Sequence, residues 1–392
     1  MKVVSIVKEK RMGEKRVILM PEHVKQLVNN GYNVLVEHGA GVNVGLSDNN
    51  YCNAGAFIVS EEEAWNKADL VLKYKPPTQN EFKYIKEKQK IAALCHAESD
   101  YQLMKEFIEK KCTVFTFEFF KDKHGKFPLA VPGGTIAGKV AMIYALYLSQ
   151  SQICGTGKLP IEIEGAEVTT IGVIGYGNVG DSIIDTAIKL GNRVIVFGTD
   201  KKRMKEYSKK YRDEKIEFYE SKSHILREKI KEIDILFGAI LISTFDTKPV
   251  VTEQMIESMK KGSIIIDVTC GYGAGYMPFF EQKTDLQNPY YSKDGKIFVK
   301  IDNLPCAYHY TTTQAYSNYV APYIEKLCDY IFLVNSKSAK YILEGINSMN
   351  FNEDKIFIVN TPQEAMQHIS QLNINNKVTV LLENDLPDNY NI

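Results

Sequence analysis

The chain has no excess charge of either sign: 48 Lys and Arg balance 48 Asp and Glu over 392 residues. No segment carries a long basic run, which argues against nucleic acid as the main partner, because phosphate binding needs concentrated positive charge. CxxC and Cys/His zinc spacings are missing. The seven cysteines, at 52, 95, 112, 154, 270, 306 and 328, are odd in number and scattered. Reduced thiols in a cytoplasmic protein are the expectation, with no metal site. The N-terminus, MKVVSIVKEKRMGEKR, lacks the apolar core of a signal peptide, and no window of about 18 apolar residues reads as a membrane span. Internal repeats and low-complexity linkers are also absent. What remains is a chain that is 44% hydrophobic and 24% charged, the composition of a folded soluble protein and too long for one ordinary core.

Strands are expected at 3–7, 33–36, 56–59, 69–73, 90–94 and 113–117, with helices between them. In PEHVKQLVNNG, Val24, Leu27 and Val28 share one face and Gly31 stops the helix. Alternation of this kind implies a parallel α/β sheet. After the loop VPGGT, an apolar helix is expected near 136–151, buried on several faces. The pattern strand, Gly-rich turn, helix, strand follows and continues through DILFGAIL and SIIIDV to IFVKIDNLP. A further helix is expected near 313–327. The last 60 or so residues read as β-α-β-α-β, a small extra module.

Gly175-Tyr176-Gly177-Asn178-Val179-Gly180 fits G-x-G-x-x-G between the strand TTIGVI and the helix DSIIDTAIKLG, the context a dinucleotide fingerprint requires. Gly175 permits the tight turn, Gly177 the approach of a pyrophosphate and Gly180 close packing of helix on strand. The amides near Asn178 and Val179 would face the phosphates. The next strand, RVIVF, ends in Gly198 instead of the acid that binds the adenosine ribose diol. Thr199, Asp200, Lys201, Lys202 and Arg203 follow. Loss of the acid and the nearby basic cluster favour NADP slightly; the alternative is that Asp200 reaches back to serve NAD.

With these motifs in order, residues 1–328 resemble the alanine dehydrogenase/transhydrogenase-α family, which includes N5-(carboxyethyl)ornithine synthase and, more distantly, saccharopine dehydrogenases. The resemblance is carried by GEKRVILMPEHVKQLVNNGYNVLVEHGAG, ADLVLKYKPP, ALCHAESD, the fingerprint, GAILIS and IDNLP. It implies an α/β fold of two Rossmann-like domains with parallel sheets. A substrate domain would span 1–135, completed by the helix near 313–328. An NAD(P) domain would span 136–305, with the active site in the cleft between the two. By the same resemblance Arg16 grips a substrate carboxylate, Lys75 binds and polarises its carboxylate or carbonyl oxygen, and His96 is the acid/base. Ala239 and Asn303 join Gly175, Gly177, Asn178, Val179, Gly180, Thr199 and Asp200 as cofactor residues. Each of the three substrate-domain residues also has a plain reading: Arg16 as a solvated charge, Lys75 as an edge-strand lysine and His96 as a core histidine.

The loop DVTCGYGAG, 267–275, would lie beside the nicotinamide. Many amino-acid dehydrogenases of the family carry an aspartate at the position of Gly271, so its loss shifts the expected reaction towards a secondary-amine (opine-type) or larger substrate. Asp267 matches an earlier, structural aspartate, while Cys270, Tyr272 and His309 are candidate replacements. Plain alanine-type deamination and a non-catalytic nucleotide sensor are the alternatives. The tail, 329–392, is similar in pattern to the last βαβαβ of Mur-type ligases without their P-loop. It implies no ATP chemistry, but it suggests a ligase-type partner. A homo-oligomer acting on a small amino acid or 2-oxo acid is expected.

Overall fold

A computed structural model describes residues 2–97, 100–122, 125–211, 215–240, 249–269, 276–277 and 279–324, with strands at 331–334 and 356–359. The chain divides into two compact units, residues 1–130 with the chain from 309 onward, and residues 131–308.

In the first unit the elements alternate: β1 (Val3–Ile6), α1 (Pro21–Asn29), β2 (Asn33–Glu37), α2 (Asp48–Asn53), β3 (Phe57–Val59), α3 (Glu61–Asn66), β4 (Leu70–Leu72), β5 (Lys90–Ala93), α4 (Tyr101–Glu109) and β6 (Thr113–Thr116). The strands form one parallel sheet, order β3-β2-β1-β4-β5-β6. Short apolar runs such as VVSI and LVL suit strands covered on both faces. Pro21 opens α1, where its missing N–H costs nothing. Gly31, at φ +86°, stops it. Val24 and Leu27 face the core.

The second unit holds α5 (Val131–Leu148), β7 (Thr170–Ile174), α6 (Asn178–Lys189), β8 (Arg193–Gly198), α7 (Lys201–Lys210), β9 (Ile216–Glu220), α8 (Ser223–Lys229), β10 (Ile235–Gly238), α9 (Glu253–Glu257), β11 (Ile264–Asp267), β12 (Tyr291–Lys293) and β13 (Lys296–Val299). Its sheet runs β12-β13-β11-β10-β7-β8-β9, parallel except for β12. The helix α10 (His309–Ile324) belongs to the first unit. It anchors the segment after β1: Val17 N donates to Thr313 Oγ1 at 3.2 Å and Met20 N to Ser317 Oγ at 2.9 Å.

Two expectations are corrected. VPGGT is not a loop but the first turn of α5. Gly134 and Gly138 sit one turn apart on the side of α5 that meets α6. A Cβ on Gly134 would lie 2.8 Å from Asn178 Cβ, and one on Gly138 2.6 Å from the Val179 carbonyl. Glycine here lets two helix backbones approach. The second correction concerns apolar windows. The helical stretch Pro128–Leu148 is 21 residues long and apolar enough, by length and composition, to cross a membrane. In the second unit it is a core helix, with Ala137, Val140, Ala141, Met142, Ala145 and Leu148 packed with Ile183, Ile184 and Ala187 of α6. Apolar side chains run round most of this helix, exposed Ile143 and Tyr147 included, so it passes the same test as a membrane span.

Of the tail module, β14 (Ile331–Val334) and β15 (Ile356–Val359) pair in parallel; the other elements expected there lie outside the described residues.

Candidate functional site

The order of the first sheet places β1, β4 and β5 side by side and parallel. The segments that leave their C-terminal ends therefore emerge along one edge. These are the segments that carry Arg16, Lys75 and His96. Between β1 and β4 the strand order reverses, the point at which an open α/β sheet forms a crevice.

Arg16 is 3% exposed, which rules out the solvated-charge reading. Its Nε and Nη2 donate to the two oxygens of Glu14, both at 2.6 Å. The guanidinium carbon lies 3.9 Å from the centre of the Tyr74 ring. Glu14 Oε1 also accepts from the amides of Lys15 and Arg16, at 3.1 and 3.0 Å. Burial works against the Glu14 charge, but the Arg16 hydrogen bonds and charge, with Lys75, hold its carboxyl down at about 2. The Nε/Nη2 edge of the guanidinium is thus engaged by an internal carboxylate.

Lys75 is buried and follows β4, a strand in the middle of the sheet, so the edge-lysine reading does not apply. The amides of Tyr74 and Lys75 donate to Glu9, at 2.7 Å to Oε1 and 3.4 Å to Oε2. Lys73, fully buried, bonds Glu81 at 2.8 Å and lies 3.7 Å from Glu9. Burial, opposed by Lys73 and reinforced by Glu14 and Glu81, pushes Glu9 up to about 7.

His96 is partly buried, with φ +45°. That left-handed conformation costs a non-glycine residue roughly 1–2 kcal/mol and needs outside support. Glu118, just beyond β6, supplies it: Oε1 accepts from His96 N at 2.5 Å and Oε2 from Cys95 N at 3.1 Å. Arg16, Lys75 and His96 therefore share a device. Each sits on a segment whose amides are held by a glutamate: Glu14, Glu9 and Glu118 respectively. None of these glutamates was singled out from the sequence. Glu14, an acid two residues before Arg16, was the one visible hint. The hydroxyl of Tyr316 is buried in the same cluster and has no partner among the described residues. Its ring lies 4.8 Å from that of Tyr74.

In the second unit the fingerprint has the geometry its residues imply. Gly175 has φ +94°, and a Cβ there would meet the Ala239 carbonyl oxygen at 2.7 Å. On Gly180 a Cβ would lie 2.0 Å from the Gly175 carbonyl oxygen. On Gly177 it would meet nothing within 4 Å. Two glycines thus close the turn, while the third faces open space at the N-terminus of α6, beside the amides of Asn178 and Val179. A pyrophosphate fits that cradle. Ala239, at the end of β10, closes its floor through Ala239 N to the Ile174 carbonyl at 2.8 Å. Asn303, another left-handed residue at φ +66°, follows β13.

At the end of β8, Gly198 has a second reason to be glycine. A Cβ there would fall 1.8 Å from the ring of Tyr176, whose hydroxyl donates to the Asp200 carbonyl at 2.6 Å. An acid at 198 would clash with that ring. Asp200 Oδ1 caps α7, accepting from the amides of Lys202 and Arg203 at 3.0 Å each. Thr199 is exposed beside it. The Arg203 guanidinium lies 5.6 Å from the ring centres of both Tyr176 and Tyr207. Asp267 is buried and paired with Lys300 at 3.3 Å, in keeping with a structural role. His309 opens α10. Cys270, Gly271 and Tyr272 lie outside the described residues. The described cysteines, Cys52, Cys95, Cys112, Cys154 and Cys306, are free thiols.

Two sheets with the strand order of dinucleotide-binding folds, one of them ending its first strand in a glycine cradle, define a two-unit α/β protein with a nucleotide-binding half. The chain belongs to the alanine dehydrogenase/PNT family. The N-terminal domain model of that family matches residues 5–137 and the C-terminal domain model residues 141–352. It is similar to alanine dehydrogenase 1 of Staphylococcus aureus (strain NCTC 8325 / PS 47), 32% identical over 348 residues that cover 88% of this chain and 92% of the relative. Among solved structures, an L-alanine dehydrogenase superposes with TM-score 0.77 and 27% identity, over 88% of this chain and 92% of that one. The transhydrogenase from Sinorhizobium meliloti shares the fold, with TM-score 0.70, 23% identity, and 83% and 94% coverage.

Proposed function

We propose that the chain is a nicotinamide-dinucleotide-dependent oxidoreductase that interconverts an amino acid or secondary amine with a 2-oxo acid. The observation that carries this reading is the gathering of Arg16, Lys75 and His96 at the ends of adjacent parallel strands in a family with alanine dehydrogenase relatives. Arg16 and Lys75 supply the positive charge that a substrate carboxylate needs. With Glu14 already on one edge of Arg16, Lys75 is the cation that a substrate carbonyl or carboxylate meets in addition. His96 transfers the proton as the carbinolamine forms or collapses. When bound, the dinucleotide supplies the two-electron step. Gly175, Gly177, Asn178, Val179 and Gly180 would hold its pyrophosphate, with Ala239 and Asn303 nearer the nicotinamide end.

NADP is the proposed cofactor. No acid stands at Gly198 to repel a 2′-phosphate, the Tyr176 ring leaves no room for a side chain at that position, and Lys201, Lys202 and Arg203 lie next along the chain. Competitive titration of NADPH against NADH checks this; preference for NADH would reverse it. On substrate, the alanine-type reading suits the relatives as well as an opine-type reaction does. Gly271 favours the latter. A panel of 2-oxo acids with ammonia or with amino acids, followed by NAD(P)H absorbance, separates the two. Turnover with ammonia alone decides for alanine-type chemistry, and turnover that requires an amino-acid co-substrate decides for the opine type. No turnover with any pair would leave a nucleotide sensor. We also propose a cytoplasmic homo-oligomer, for which light scattering of the purified chain is the check.

A further inference from the structure

At the point where β1 and β4 part, the backbone ladder stops. Its last rung is Val7 N to the Leu72 carbonyl at 3.2 Å. Beyond it the two strands diverge, and each exposes backbone groups that its neighbour no longer satisfies. Two side chains take over. Lys73 Nζ donates to the Lys8 carbonyl at 3.3 Å. In the other direction, the carboxylate of Glu9 accepts from the amides of Tyr74 and Lys75. On its other flank β4 stays paired, through Lys73 N to the Ala92 carbonyl at 3.0 Å and Leu94 N to the Tyr74 carbonyl at 3.2 Å. The residues that carry the candidate substrate lysine are thus held on one side by a neighbouring strand and on the other by Glu9.

We infer that Glu9 is a positioning residue for the substrate site: it holds β1 and β4 apart while locking the backbone of Tyr74 and Lys75, so that the Lys75 ammonium and the Tyr74 ring beneath Arg16 present one fixed surface to a substrate carboxylate. This rests on the reading that Lys75 binds that carboxylate. A neutral amide does not replace Glu9. The two amides bond different oxygens of Glu9, so a glutamine in the same place offers its oxygen to one of them and turns its NH₂ towards the other. Two donors face to face push the segment away from its place.

Ordinary packing does not account for the choice of a carboxylate here. Lys73, from the end of β4, lies 3.7 Å from Glu9, and the charges of Glu81 and Glu14 also act on it. Two of these three neighbours are acids. Burial and these acids outweigh Lys73 and set Glu9 at about 7. A carboxyl raised in this way binds its proton more tightly folded than unfolded, so ionisation costs folding free energy that is absent at pH 4.5 and full above about pH 7. The carboxylate that locks Lys75 is therefore carried at the expense of stability, as expected of a group kept for a site.

The test compares the full-length wild type with Glu9→Gln, using oxalate, a dicarboxylate shaped like a 2-oxo acid, as the binding probe. The proposal expects oxalate affinity at pH 8 to fall roughly tenfold while NADPH affinity is unchanged and Tm is equal or higher. In the wild type, oxalate affinity should weaken as pH drops through about 7 and Glu9 takes up its proton. In Glu9→Gln that dependence should be gone. Wild-type turnover of 2-oxo acids is measured in parallel and tests the underlying reading on its own. Oxalate affinity and pH dependence equal to wild type in Glu9→Gln would overturn the proposal, as would a lower Tm with oxalate binding intact, which marks a merely structural group. A wild type that neither binds oxalate nor turns over any 2-oxo acid removes both the reading and the proposal.

Discussion

The two sheets of this protein share the order of their first five strands and reverse it at the same place, yet their switch points are furnished in opposite ways. In the first unit the crevice between β1 and β4 is crowded with buried charge: Arg16 on Glu14, and Lys73 between Glu81 and Glu9, with Lys75 buried next along the chain. In the second, the crevice between β7 and β10 has been stripped of side chains, with Gly175, Gly177 and Gly180 at its mouth. The difference follows from what each would hold. A dinucleotide pyrophosphate is bound by backbone amides and a helix terminus, and any side chain at the turn gets in the way. A small carboxylate has no such length of contact and needs a fixed, desolvated cation. Buried cations in turn need buried acids to keep them paired. One topology would thus serve two ligands according to whether its switch point is emptied or charged.

The contrast is broken most completely by filling the empty side. Gly177→Val should abolish dinucleotide binding and leave Tm unchanged, because a Cβ there meets no protein atom within 4 Å. Gly180→Ala, by contrast, should unfold the cradle, since its Cβ falls 2.0 Å from a backbone oxygen. Isothermal titration and thermal melts of the two variants distinguish these outcomes; equal loss of stability in both would contradict the assignment. On the charged side, His96→Ala should lower turnover roughly 10²–10⁴-fold, the usual worth of a general acid/base, at unchanged NADPH affinity. A steady-state assay that finds less than threefold loss, with about 3 taken as experimental scatter, would remove His96 from the chemistry.

Smaller effects follow from the guanidinium. Arg16→Lys keeps the charge but cannot hold both Glu14 oxygens. Oxalate affinity should drop roughly tenfold to a hundredfold, as for loss of one or two charge-assisted bonds. An unchanged affinity would return Arg16 to a purely structural role. The least effect expected is on pH-dependent stability. Glu14, held at about 2 in the fold, contributes stability that is present above pH 4.5 and lost as pH falls through about 2. Glu9, held at about 7, subtracts stability as pH rises from 4.5 through about 7. The contribution of these two groups to the stability of the first unit should therefore peak near pH 4.5, with each limb worth on the order of 3 kcal/mol. Trp65, the one tryptophan in the chain, is buried in that unit and reports its unfolding by urea. Glu14→Gln should flatten the acid limb and Glu9→Gln the neutral one; a profile that rises steadily from pH 5 to 8 would count against the Glu9 assignment.

Much of this was legible from residue order. The strands of the first unit fall within a residue or two of the apolar runs that announced them, because parallel strands covered on both faces read as uninterrupted hydrophobic segments. The fingerprint was equally plain, since each glycine in it answers a local backbone demand. What could not be read was whatever depends on strands meeting in space. Glu9 and Glu118 look like ordinary surface acids in the sequence, and only the meeting of β1 with β4 and of β5 with β6 gives them amides to hold; Glu14 holds the amides of its own neighbours, Lys15 and Arg16. VPGGT misled for a related reason. Its Pro and glycines signal a loop locally, but the proline suits a helix start and Gly134 is required by α6 packed against it. The ring of Tyr176 over Gly198 was also invisible, although the missing acid at that position was not.

The most direct test of the division of labour is a pair of equilibrium titrations, NADPH and oxalate, on wild type, Gly177→Val and Arg16→Lys. The account predicts separate losses: Gly177→Val loses NADPH and keeps oxalate, while Arg16→Lys weakens oxalate and keeps NADPH. If either substitution removes both ligands equally, or if the wild type binds neither below the millimolar range, the two switch points do not divide the work as described.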